Sequence, residues 1–244
     1  PKDVASGNSY FKSLTTNYKE YGVQVVDKKD GHPVRAGNQS IRFEVRPGDC
    51  GRNDNHNDCE TDRERHELSG RRTMSKGEWW YAWSIYFPKD YINIYPTKTA
   101  LGQFHQKKGH PVFKFDFLYF GYHVVETARE DDRLYTENKI VKKEEAIGKW
   151  NDVLVNMKWT KKDDGFFKVW INNELKYEYN GPTKTEEKVF FKFGIYRAFL
   201  SKYIKYQKIT GNNISEVPAQ VVYFDEVRVG KSKEEVVGNL PPLQ

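Results

Sequence analysis

Three short runs place chemically capable side chains two residues apart. In DRERHEL, Arg63, Arg65 and Glu67 alternate with Glu64, His66 and Leu68. In ALGQFHQ, Gln103 and His105 share a face with Leu101 alongside, and Phe104 takes the other. In FFKFGIYR, Lys192, Gly194 and Tyr196 alternate with Phe191, Phe193 and Ile195. At the two-residue period of a strand, each run therefore shows one polar face. Arginine, lysine and glutamine can hold an anion, and histidine and tyrosine can move a proton. Singly, each run has a plainer explanation: a hydrogen-bonded histidine, an Arg65–Glu67 salt bridge, a solvated lysine. Gly194 is odder, because glycine weakens a strand and marks close approach of a ligand or of backbone.

Three such strands need a sheet to bring them together. Strand-like runs recur along the chain, among them YGVQVV, SIRFEVR, WWYAWSIYF, VFKFDFLYF, DVLVNMKW and VVYFDEVRVG, separated by turn formers such as Pro47-Gly48-Asp49 and Asp164-Gly165. About a dozen strands without alternating long helices predict a sandwich or barrel, read as a single domain over residues 1–244. Short helices are expected around SGNSYFKSL, KKEEAIG and SKEEVV. The hairpin FFKVWINNELKYEYNG has aromatics on both faces, which suits either a sugar-stacking surface or burial on both sides.

Composition narrows the partners. Forty Lys and Arg against 34 Asp and Glu give a net charge of +6, which attracts polyanions. Charge alone leaves nucleic acid, anionic lipid and acidic polysaccharide open; no nucleic-acid recognition module is visible, no apolar run is long enough to span a membrane, and a monomer is expected. The two cysteines, Cys50 and Cys59, bracket the polar segment GRNDNHND and are expected to form a disulfide. The rival is a metal loop through Cys50, His56 and Cys59, which lacks a fourth ligand. A disulfide, two sequons at Asn38 and Asn213, and a start at Pro1 lead us to expect a secreted protein.

Arg65-His66-Glu67-Leu68, Gln103-Phe104-His105 and Phe190-Phe191-Lys192-Phe193-Gly194-Ile195-Tyr196 occur in that order. They resemble the R-x-E-L, Q-x-H and Y-F-K-x-G-x-Y motifs of the jelly-roll polysaccharide lyases, a trio carried by the alginate lyases of family 7. PGDC, WWYAWSIYFP, LGQFHQ, KFGIYR and YFDEVRVG look closer to the branch of the glucuronan lyases of family 20 and the heparin lyase I relatives. The resemblance implies an all-β jelly-roll sandwich of two antiparallel sheets with a concave substrate groove. It implies a lyase that removes the C5 proton of a uronate and expels the C4 oxygen. The substrate would be a β-1,4-linked uronan, glucuronan first, with mannuronate-containing alginate as the alternative and a non-catalytic carbohydrate-binding jelly roll as a third reading. A glycoside hydrolase is disfavoured, since no E-x-D-x-x-E strand is present.

On this resemblance the catalytic set is Tyr196, His105, Gln103, Arg65 and Lys192. Arg65 and Gln103 would stabilise charge growing on the carboxylate. Where H5 and O4 lie on the same side, as in glucuronate and mannuronate, Tyr196 alone could take and return the proton, its phenol acidified by Lys192 and Arg65. Where they lie on opposite sides, His105 would be base and Tyr196 acid. Gly194 would leave room for the sugar. Arg63, Glu67, Arg197 and Arg42 are candidate substrate contacts. No cofactor is required for the chemistry, and Asp225 in YFDEVRVG is a candidate ligand for a structural calcium ion. One position departs from the motif, because Phe190 replaces its first tyrosine and supplies no hydroxyl.

Overall fold

The computed structural model describes residues 10–14, 16–71, 73, 74, 76–127, 136–238, 240 and 241. In chain order the strands are β1 (Tyr10–Lys12), β2 (Val23–Asp27), β3 (Gln39–Val45), β4 (Arg52–Asn53), β5 (His56–Asn57), β6 (Arg63–Gly70), β7 (Gly77–Tyr86) and β8 (Lys98–Gln106). They continue as β9 (Pro111–Leu118), β10 (Gly121–Glu126), β11 (Thr136–Lys142), β12 (Trp150–Trp159), β13 (Phe166–Ile171), β14 (Glu174–Asn180), β15 (Val189–Ala198) and β16 (Gln220–Gly230). Two seven-stranded sheets result, ordered β1-β6-β15-β8-β9-β10-β11 and β14-β13-β12-β7-β16-β3-β2, with β4-β5 as a separate hairpin. All the ladders of described strands are antiparallel, which makes the chain a jelly-roll sandwich.

The alternating aromatics lock the layers together. Phe104 of the first sheet meets Tyr81 and Phe167 of the second at centroid distances of 5.0 and 5.5 Å, Phe115 meets Trp83 at 4.8 Å, and Phe193 meets Phe43 at 5.6 Å. Edge-to-face and tilted contacts of this kind bury large apolar areas with favourable ring geometry. The hairpin β13-β14 lies in the second sheet, away from the three polar runs. Its Phe167, Val169 and Ile171 enter the core, whereas Trp170 on the outer face stacks on Trp80 beneath the helix Lys233–Val237.

Local expectations fail where tertiary contacts intervene. The helices Lys143–Ala146 and Lys233–Val237 form as expected. Within SGNSYFKSL, however, Tyr10–Lys12 is a strand paired to β6, and residues 6–9 lie outside the described residues. The ten-residue helix Leu200–Ile209 was not expected from strand-like patterning. Leu101 turns into the core beside Phe104, because the β8–β9 register shifts between Ala100 and Gly102 and resets the alternation. Gly194 does not make room for a ligand. It adopts φ +133°, and an added Cβ would stand 2.5 Å from the His66 carbonyl oxygen and 2.7 Å from the Phe43 ring, so backbone packing requires the glycine.

Candidate active site

Strands β6, β15 and β8 are direct neighbours, which assembles the three polar runs. Tyr196 lies opposite Arg65 and Gly194 opposite Glu67; on the other side Lys192 lies opposite Gln103 and Phe190 opposite His105. Their outer faces line a cavity of about 470 Å³, extended by Lys114 and Asp116 of β9. Among the described residues, Arg63, Arg65, Lys98, Lys114 and Lys192 line it with one acidic residue, Asp116. Cations lining a low-dielectric cleft attract polyanions to the extent that their own partners leave them unneutralised.

At its floor the charges are already matched. Glu67 is 1% exposed and ion-paired to Lys192, accepts from the Gln103 amide, and lies 3.5 Å from Arg65 Nη1. Burial would raise its pKa, but Lys192 and Arg65 together outweigh burial and hold it below the ordinary carboxylate range. Burial likewise pulls the Lys192 ammonium down, opposed by Glu67. Arg65 donates through Nε and Nη2 to both oxygens of Asp58, at 2.5 and 2.7 Å. Two cations and two carboxylates thus form a rigid, nearly neutral set. On the walls Lys114 is paired to Asp116 at 3.0 Å and Lys98 lies 3.7 Å from Glu137, and Arg63 adds a further cation.

The two proton-transfer candidates are separated along the sheet. His105 faces Phe190 and Tyr196 faces Ala100 in the β8–β15 register. At ~3.3 Å per residue this puts their backbones on the order of 15 Å apart, enough for a sugar between the side chains. His105 Nδ1 lies 2.6 Å from the Gln106 carbonyl oxygen and must donate to it, which leaves the Nε2 lone pair available. Burial, followed by the nearby Lys192, lowers its pKa to about 4, so the imidazole is neutral near pH 7. Tyr196 behaves contrary to the sequence expectation. Burial raises its pKa more than Arg65, 4.1 Å over the ring, and Arg63 lower it, and the phenol keeps its proton.

Other expected contacts lie elsewhere or serve another purpose. Arg42 is on β3 in the opposite sheet, paired to Glu44 at 2.6 Å. Arg197 points into the sandwich, fully buried, and donates to Glu64 and to the Pro218 carbonyl; its odd position in β15 puts it with Phe193 and Ile195. Glu67 holds the floor cations in place of substrate. Asp225 does not suit calcium, because its carboxylate accepts the backbone N–H groups of Arg35, Ala36 and Glu226, and those are donors where a cation needs oxygens. Among the described residues no group of three or more His, Cys, Asp or Glu side chains is placed to hold a metal.

Cys50 and Cys59 are disulfide-bonded, as expected, and clamp the β4-β5 hairpin beside β6. With both sulfurs joined, the metal-loop reading falls away, and His56 lies against Asp58 at 3.2 Å. This clamp is what presents Asp58 to Arg65. Asp58, Lys114 and Asp116 escaped the sequence reading. Lys114 and Asp116 share a face of VFKFDFLYF by simple alternation, whereas Asp58 carries no local signal.

A polysaccharide lyase family model matches residues 11–228. Among solved structures, the endo-β-1,4-glucuronan lyase from the fungus Trichoderma reesei is 17% identical, covers 94% of each chain and superposes with a TM-score of 0.67. The family 7 alginate lyase A1-II′ with bound product is 13% identical over 95% of this chain and 99% of its own, TM-score 0.63. The family 7 alginate lyase AlgAT5 is 16% identical over 95% and 98%, TM-score 0.59. At these identities the likeness shows the fold. No curated protein matches the chain in sequence.

Proposed function

The chain belongs to the polysaccharide lyase family and breaks an acidic sugar polymer by β-elimination, and from that premise we propose that its substrate is alginate, cut at guluronate linkages with His105 as base and Tyr196 as acid. One observation carries this reading: His105 is a neutral imidazole whose Nδ1–H is tied to Gln106, with Nε2 left to accept a proton, and it shares the cavity with a tyrosine, farther along the sheet, that keeps its own. Guluronate has H5 and O4 on opposite sides, which demands two separate groups. Nε2 takes the C5 proton, the electron pair moves toward the carboxylate, the C4–O4 bond breaks, and the Tyr196 hydroxyl protonates the departing oxygen. Gln103, Lys192 and Arg65 supply preset hydrogen-bond donors to the carboxylate as its charge grows.

A second reading is glucuronan or mannuronan cut by Tyr196 alone. The Arg65 guanidinium over the Tyr196 ring favours it, since it stabilises a phenolate; burial opposes it more strongly. Secretion is supported by the disulfide, which an oxidising compartment maintains. The test is the rise in ultraviolet absorbance from the new C=C bond on polyguluronate, polymannuronate and glucuronan taken separately. Polyguluronate should be cut fastest and His105→Ala should abolish the rate. Faster cleavage of glucuronan or polymannuronate, with His105→Ala still active, would refute the assignment.

A further inference from the structure

Phe199 stands at one end of the cavity, just beyond Tyr196, and is 41% exposed. It joins none of the hydrophobic clusters of the described residues. Its backbone is left-handed, φ 64° and ψ 49°, a strained conformation for a bulky side chain. Neighbouring bonds enforce it. The Phe199 N–H donates to the Asp62 carbonyl at 2.9 Å, the Thr97 hydroxyl donates to the Phe199 carbonyl at 2.8 Å, and the Asp62 carboxylate accepts the Ser201 N–H at 3.0 Å. Glycine would take this conformation without strain. The chain therefore holds an apolar ring in the cleft at a cost in backbone strain, against the side chains of Arg63 and Lys202 and outside the hydrophobic clusters of the described residues. Strain of this kind collects at ligand sites.

The surroundings specify the ligand. Lys202 Nζ lies 4.5 Å and Arg63 Cζ 5.9 Å from the centre of the ring. Lys98, paired in register with Ala198, lines the cavity alongside. A uronate offers both matching features, an apolar C–H face for the ring and a carboxylate for the cations.

We propose that Phe199, Arg63 and Lys98 form a sugar subsite next to the reacting linkage. Along β15 the direction from the His105 end to Tyr196 runs on to Phe199. Tyr196 gives its proton to the glycosidic oxygen, so this subsite holds the sugar that leaves with the new reducing end. That orientation rests on Tyr196 being the acid, which both readings above share.

Steady-state kinetics and thermal unfolding of Phe199→Gly and Phe199→Tyr test the proposal, on whichever uronan, of guluronate, mannuronate or glucuronate, the parent enzyme turns over. In Phe199→Gly, KM should rise about tenfold with kcat changed less than about threefold, in line with the loss of one ring contact. Its Tm should stay level or rise, because the backbone strain is relieved, and Phe199→Tyr should keep the parent KM. An unchanged KM in Phe199→Gly would overturn the subsite. So would a clear fall in Tm, which would make the ring a packing element. A wrong choice of polymer above would show in the substrate panel and leave this comparison intact.

Discussion

The acid limb of kcat/KM should fall near pH 4, well below the 6.5 of an ordinary imidazole, because His105 is buried and lies near Lys192. At pH 5.5 an ordinary histidine would be about 9% neutral, and one with a pKa of about 4 about 97%, a tenfold difference in competent base. Part of the burial comes from Phe190, whose ring stacks on the imidazole at 5.4 Å with an interplanar angle of 26°. Phe190→Ala should readmit water while leaving every charge in place, and should move the limb up toward 6.5. The assay is initial rate at low substrate from pH 3.5 to 8, since kcat/KM reports the free enzyme. Circular dichroism must accompany it. The folded pKa lies below the unfolded value, so the unfolded chain binds the proton first; the stability His105 contributes is present above 6.5 and lost as pH falls through the window from 6.5 to about 4. Fully developed, that loss is about 3 kcal/mol. A limb between 6 and 7 in the parent enzyme, or an unmoved limb in Phe190→Ala, would refute the reasoning.

On the proposed mechanism Tyr196→Phe should lower kcat by about 10² to 10⁴ with polymer affinity nearly intact, since it removes only the hydroxyl assigned as the acid; calorimetric titration against the rate assay checks the split. Asp58→Ala leaves the buried Arg65 guanidinium without its two-point partner and should cost about 3 to 5 kcal/mol by urea unfolding, with a raised KM as Arg65 loses its orientation. Gly194→Ala should destabilise the fold by about 2 kcal/mol or more, because the new methyl meets the His66 carbonyl and the Phe43 ring at a φ that L-residues rarely adopt. A Gly194→Ala variant as stable as its parent in the same urea titration would contradict that account.

Which side chains share a face is a local property of extended backbone. Arg65 with Glu67, Gln103 with His105, and Lys192 with Tyr196 were therefore legible from a period of two, and so was the all-β class. The expectation of a substrate contact at Arg197 ran against that rule, which puts it on the core side with Phe193 and Ile195, where it is buried. Cysteine spacing around a polar loop was enough to indicate the disulfide. What alternation cannot supply is strand order. Only the adjacency of β6, β15 and β8 buries Glu67 between Lys192, Gln103 and Arg65, and turns an apparent substrate contact into an internal counterion. Only the fold carries Asp58 from the clamped hairpin to Arg65, and Phe43 from the opposite sheet to Gly194. Burial decided the protonation states as well. Nearby cations argued for an acidified Tyr196, yet desolvation, which depends on everything packed around a group, raises that phenol and lowers His105. Periodicity reports direction; charge state and partnership are set by the neighbours that folding brings from distant parts of the chain.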